Sequence, residues 1–192
     1  MRGFPSGMVR LMALKFRISE EKALETLLWI ASEWNNITPF YLSKVLFFAE
    51  KDHLNRYGRP IIADTYIAMP YGPVPSTVRD YVEGNYLFSD FADAIAAAIE
   101  VNRNTRYPEI QAKRAPRMDV FSDSDLECLR AAIRKCRDVN FGTLSRWTHL
   151  ERAWLAAPAN GAMDYEDFID QDNPLREEII EQAREFAHFG VL

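Results

Sequence analysis

Three prolines within six residues, Pro70, Pro73 and Pro75, fall in the stretch Met69-Pro70-Tyr71-Gly72-Pro73-Val74-Pro75-Ser76-Thr77-Val78, and no other feature constrains the fold of this chain as strongly. Each proline removes a backbone donor and fixes φ near about −65°; each also pushes the residue before it, Met69, Gly72 or Val74, away from helical geometry. The stretch predicts a rigid, non-helical crossing. Pro75 suits a helix start, with Ser76 or Thr77 nearby to satisfy free N–H groups, so the crossing should launch a helix through Val78 and Tyr81 that closes at Gly84. Residues 59–69 lead into it as an apolar, β-rich run, which predicts an extended segment or a short strand pair.

Helical spacing dominates the rest. Ser19 reads as an N-cap with Glu20 and Glu21 in the first turn, and Ala23, Leu24, Leu27, Leu28, Ala31 and Trp34 form one buried face. Thr38-Pro39 restarts the pattern as cap and first helical residue. The helix that follows carries Phe40, Leu42, Val45, Leu46, Phe47, Phe48, Ala49 and Leu54, apolar on nearly every side, and should lie centrally and end at Gly58. Ser89-Asp90 reads as the cap of a helix containing Phe91, Ala94, Ile95, Ala98 and Ile99. Residues 103–117, with Pro108 and Pro116, predict a basic β-hairpin arm or surface loop. Ser122 begins a further helix that ends at Asn140-Phe141-Gly142; Thr143 caps a short one through Trp147 and His149. After the turn-rich residues 158–161, a last helix carries Leu175, Ile179, Ile180, Ala183 and Phe186. The fold class is therefore mainly α (α+β), a compact helical domain over residues 19–192 with a small β-sheet or hairpin insertion, preceded by residues 1–18 as a basic arm or edge strand.

Composition excludes several classes. Hydrophobic content of 48% and charged content of 27% rule out a disordered chain. A net charge of −5 argues against a general electrostatic grip on nucleic acid. No apolar run approaches the roughly 20 residues of a membrane span. Cys128 and Cys136 lie on one helix with Cα atoms separated by ~12 Å, too far for a disulfide. Reduced thiols and the lack of a long apolar leader point to the cytoplasm.

A search for chemistry assigns no catalytic, cofactor or metal residues. His53 falls on the apolar stripe of the second helix and reads as a hydrogen-bonded core histidine. No nucleophile elbow or phosphate loop occurs, and both cysteines fall at core phase. Glu109, Gln111 and Lys113 alternate along one strand, which leaves a metal-dependent nuclease as an alternative, and the basic residues 103–117 leave a DNA-associated phage protein as another.

The run Lys44-Val45-Leu46-Phe47-Phe48-Ala49, then Gly58-Arg59-Pro60-Ile61, then Ile67-Ala68-Met69-Pro70-Tyr71-Gly72-Pro73-Val74-Pro75, resembles the Panacea, or SocA-like, antitoxin family. Leu144-Ser145-Arg146-Trp147-Thr148-His149 and Trp154 look like its later signature; Met69 stands where many members have tryptophan. The resemblance implies a mainly helical scaffold, encoded beside a protein toxin that it neutralises by direct binding. The founding member's role as a protease adaptor implies a AAA+ protease as a second partner, with no cofactor. Lys44, Gly58, Pro60, Ala68, Tyr71, Gly72, Pro73, Val74, His149 and Trp154 carry the family signature and read as scaffold, with Lys44 and His149 expected to satisfy buried loop carbonyls. Partner contact is expected at Tyr71, Val74, Arg79, Asp80 and Phe88. Tyr71 has two readings from the sequence, a ring presented to the toxin or a ring packed inward to hold the loop.

Overall fold

Local signals set most helix ends. A computed structural model describes residues 14, 16–86 and 91–189. Among them are eight α-helices and two small two-stranded antiparallel sheets, a mainly α fold with β hairpins. Helix α1, Glu20–Glu33, starts at Ser19, whose Oγ accepts the Lys22 N–H at 3.3 Å. Helix α2, Pro39–Tyr57, has proline at its first position and closes at Gly58 with φ +69°. Thr38 makes no side-chain cap hydrogen bond, and Pro39 lacks one of the N–H groups that a helix start leaves without an intrahelical partner.

Every residue of α2 from 42 to 50 is buried, as expected of a helix that is apolar all round. It packs against α5, Asp123–Cys136, and against the hairpin of β1, Tyr66–Met69, and β2, Gly72–Pro75. Phe47, Tyr66 and Phe168 form an aromatic core between them, with ring centroids 5.2–6.1 Å apart. On the outer side of β1 the turn-rich segment adds a third extended stretch. The Ala68 N–H donates to Gly161 O at 2.9 Å and the Met163 N–H to Tyr66 O at 2.8 Å.

Helix α3, Ser76–Glu83, ends at Gly84 with φ +87°. The expected Ser89-Asp90 cap lies outside the described residues. Helix α4, Ala92–Ala98, is shorter than its spacing suggests, because Ile99 leaves it to pair with Ala112. The hairpin in the basic region is thus β3, Ile99–Asn102, and β4, Glu109–Ala112, and it begins inside the expected helix. Its Ile110 N–H donates to Ile37 O at 2.9 Å, which fastens β4 beside α1.

Helix α5 opens with a capping box between Ser122 and Asp125. Asn140 does not end it but caps α6, Phe141–His149, accepting the Thr143 N–H at 3.0 Å. Thr143 was the expected cap; it already has a helical position. Helix α7 is Arg152–Ala156, and α8, Arg176–Phe189, begins after Leu175, which is exposed rather than buried. Of the expected arm or edge strand, residues 1–13 and 15 lie outside the described residues. Leu14 and residues 16–18 belong to no strand; Leu14 is buried, and its N–H donates to Asp164 Oδ1 at 3.2 Å. Cys128 and Cys136 are free and buried, with burial pushing each thiol up to about 12. No described helix is long and apolar enough to cross a membrane.

Candidate functional site

The proline-dense stretch is itself the second strand of a hairpin, not only a crossing after one. Pairing of Met69 with Gly72 leaves Pro70 and Tyr71 as the turn, and Pro73 and Pro75 alternate with Gly72 and Val74 along β2. Pro73 and Pro75, both buried, fall at the non-hydrogen-bonded pairs of the ladder, where the missing N–H takes nothing from the pairing with β1. Three side chains from elsewhere fix the tip. Lys44 Nζ donates to Pro73 O at 3.0 Å. Trp154 Nε1 donates to Met69 O at 3.0 Å. Thr148, fully buried with its hydroxyl on Ser145 O, packs against Gly72.

Gly72 explains itself in this setting. Its φ is +102°, and a Cβ placed there would lie 2.2 Å from Thr148 Oγ1 and 2.9 Å from Lys44 Nζ. Lys44 meets its expected carbonyl, but His149 does not. The His149 ring stacks on Trp154 with centroids 4.0 Å apart, and its Nε2 is buried without a hydrogen-bond partner. The indole has the carbonyl role expected of the imidazole, because its ring N–H projects toward the β1 end while the histidine lies behind it. Trp154→Phe keeps the stack and removes that bond, so it should cost about 1–2 kcal/mol. Urea unfolding checks this; an unchanged midpoint would contradict it.

Burial presses the Lys44 ammonium down to about 7. Its folded pKa is below its unfolded value, so the unfolded chain binds more protons between these two and stability should rise with pH from 7 upward. At most this slope is about 1.4 kcal/mol per pH unit, and Lys44→Met should remove it. Both raised thiols pull the other way at alkaline pH in either protein, so the quantity to measure is the stability difference between wild type and Lys44→Met from pH 7 to 8.5. A constant difference would contradict the assignment.

Two buried carboxylates launch the hairpin, and sequence reasoning missed both. Glu50 Oε1 and Oε2 accept N–H groups from Ala63 at 2.8 Å, Ile61 at 3.0 Å and Ile62 at 3.3 Å, and the Tyr165 hydroxyl lies at 3.0 Å. Burial pushes the Glu50 carboxyl above its usual range against these bonds. Asp64 accepts the Thr77 and Val78 N–H groups, both at 3.0 Å, and so caps α3 in place of the expected Ser76 or Thr77. A lone acid inside an all-apolar helix was the available signal for Glu50. Nothing local marks Asp64, whose donors belong to a helix beyond the hairpin.

Tyr71 points outward from this frame. It is 63% exposed, and its ring meets Phe141 edge-on at 5.3 Å, while Phe141 lies 4.3 Å from Phe40. The inward packing that the sequence also allowed is not seen. Tyr71 borders a groove of about 470 Å³ whose walls include Phe40, Met69, Val74 and Val78, with Lys44 also lining it. Arg79 stands on its rim, 2.8 Å from Glu83. Of the expected contact residues, the structure thus brings together Tyr71, Val74 and Arg79. Asp80 is on α3 but away from the groove lining, its side chain 3.5 Å from Asn85 Nδ2. Phe88 lies outside the described residues. Of the signature residues, Lys44, Gly58, Pro60, Ala68, Gly72 and Pro73 are buried.

Charges in residues 103–117 are largely engaged within the fold. Arg114 forks onto buried Glu25 at 2.5 and 2.9 Å, and Arg117 pairs with Glu21 and Asp119. Burial opposes ionisation of Glu25, yet bonds from the Arg114 guanidinium and the Arg117 N–H hold its carboxyl below the usual range. Lys113 donates to Ala96 O at 2.6 Å and Gln111 to Asn36 Oδ1 at 2.8 Å, so two members of the alternating Glu109, Gln111, Lys113 set serve the hairpin. Among the described residues no group of three or more His, Cys, Asp or Glu side chains is placed to hold a metal ion. His53 is a fully buried core histidine, with Nδ1 2.7 Å from Arg59 O and Nε2 3.0 Å from Ser124 Oγ. Beside it, Asp125 joins Lys22 at 2.8 Å and Arg59 at 3.2 Å, which ties the Gly-Arg-Pro step to α1 and α5.

No curated protein and no solved structure matches the chain. A family model does match: antitoxin SocA-like, Panacea domain, over residues 42–155. That range contains α2 from Leu42 onward, both hairpins and every side chain that fixes the β1–β2 tip, from Lys44 to Trp154. The chain belongs to the SocA-like antitoxin, Panacea domain family.

Proposed function

We propose that this protein is the antitoxin of a toxin–antitoxin pair and neutralises its toxin by binding it directly, through the face around the β1–β2 tip. Family membership supports the antitoxin role. The observation that carries the location is Tyr71, a large exposed aromatic ring on a tip anchored by Lys44, Thr148 and Trp154. A rigid tyrosine offers contact area and a hydroxyl at small entropic cost, which is the profile of an interface anchor. Conserving the frame while varying Arg79 and its neighbours would let one scaffold serve different toxins. No catalytic residue or cofactor enters this reading, and the setting is cytoplasmic. The adaptor mode, in which a AAA+ protease degrades the captured toxin, uses the same first step.

The ion pairs of Arg114 and Arg117 give the nuclease and DNA-binding alternatives little free charge to work with. Co-expression tests the proposal. The adjacent open reading frame should arrest growth when expressed alone and should not when this protein accompanies it. A harmless neighbour, or one still toxic in company, would sink the antitoxin reading.

A further inference from the structure

Lys44 is a buried amine with no paired carboxylate among the described residues. The residue is 1% exposed, and among the described residues its ammonium has one hydrogen-bond acceptor, Pro73 O at 3.0 Å, beside the Phe40 ring at 4.9 Å. Among the described residues no carboxylate pairs with it, whereas the buried Lys22 has Asp125 at 2.8 Å. An ammonium carries three donors, and a buried cation is ordinarily paired because its desolvation is costly. Lys44 is also among the residues lining the groove of about 470 Å³, whose walls are mostly apolar. Arg103 stands at the same groove with its guanidinium on Val82 O at 2.8 Å, and Arg79 is paired there with Glu83, the one acid among the described lining residues, which leaves the site locally positive on a chain of net charge −5.

We propose that the groove receives a carboxylate carried on an apolar body, presented by a segment of the protein partner, with the Lys44 ammonium as its counter-charge and Phe40 and Val78 as its walls. This rests on the partner-binding reading above. The apolar walls disfavour bare phosphate, and a volume of this size accommodates a side chain or two. Cys136 is the titratable group that faces Lys44 from α5, and its raised thiol stays neutral at pH 8. With the amine driven toward neutrality by burial, docking of a carboxylate at pH 8 should draw a proton onto Lys44.

The probe is 3-phenylpropanoate against its neutral amide, titrated into the full chain by calorimetry in two buffers of different ionisation enthalpy at pH 8. The carboxylate should bind at least tenfold more tightly than the amide, with uptake approaching one proton, and Lys44→Met should erase both differences. Should Lys44→Met fail to fold, Val74→Glu is the substitute: Val74 is half-buried on the wall, and its own carboxylate should exclude the probe. Equal binding of acid and amide, no binding, or no proton uptake would overturn the site. In a second arm, saturating 3-phenylpropanoate should weaken capture of the neighbouring gene's product at least tenfold. Undiminished capture would overturn the partner as the source and leave the antitoxin reading standing. Absence of any capture by wild type would refute that reading, while the small-molecule arm still decides the chemistry of the groove.

Discussion

Gly72→Ala is expected to lower stability by about 3–5 kcal/mol, and the midpoint of thermal unfolding by roughly 10 °C or more. Three costs converge. A φ of +102° is unfavourable for any residue with a Cβ, by about 1–3 kcal/mol. The new methyl would overlap Thr148 Oγ1, so the hydroxyl must leave Ser145 O. It would also displace Lys44 Nζ from Pro73 O, and each buried bond lost adds about 1 kcal/mol or more. Gly84→Ala separates the terms: its φ of +87° is comparable, but no atom of the described residues lies within 4 Å of the added Cβ, so the backbone cost of about 1 kcal/mol is what remains. Equal losses for the two variants, measured by urea unfolding, would show that close packing at the tip contributes nothing.

Glu50→Ala should be as damaging, at about 3–5 kcal/mol, through a different cause. It strands the N–H groups of Ile61, Ile62 and Ala63 in the interior, at about 1–3 kcal/mol for each unsatisfied group before relaxation. Ala63, at φ +60°, loses the bond that holds it in the left-handed region. Glu50→Gln keeps the shape but aims an amide NH₂ at backbone donors, so an intermediate loss is expected. Because burial raises the folded pKa of this carboxyl, the folded state holds the proton more strongly, and Glu50 makes stability fall as pH rises from the ordinary glutamate range. Glu50→Gln should remove that contribution. A Glu50→Ala protein within 1 kcal/mol of wild type would mean that water replaces the carboxylate at no cost.

These two positions show where a sequence can be read and where it cannot. Ser19, Gly58, Gly84 and the Ser122–Asp125 box act within one turn of the helix they bound, so their roles follow from neighbours in the chain. Proline density likewise marked the tip, although not that Gly72–Pro75 forms a strand, since pairing depends on what lies opposite. Ile99 shows the same limit: helical phase put it with Ala98, and partnership with Ala112 took it into β3. Glu50, Asp64 and Trp154 act on backbone groups 11 or more positions away, through contacts that exist only once α2, the hairpin and α7 are packed together. The candidate face was half legible. Tyr71 and Val74 stand in the motif and Arg79 just beyond it, whereas Phe40 reads only as a helix residue and Phe141 as a helix end, although both lie at the Tyr71 face in space.

In the function proposed above, a frame built by the signature residues presents Tyr71 to a protein partner. Affinity of the neighbouring gene's product for wild type and for Tyr71→Ala, with unfolding curves of both proteins, tests it most directly. Because Tyr71 is 63% exposed, the substitution should leave the midpoint of unfolding nearly unchanged. Loss of a central aromatic anchor should weaken binding by about 2 kcal/mol, some thirtyfold. A stable Tyr71→Ala protein that binds as tightly as wild type would contradict the account.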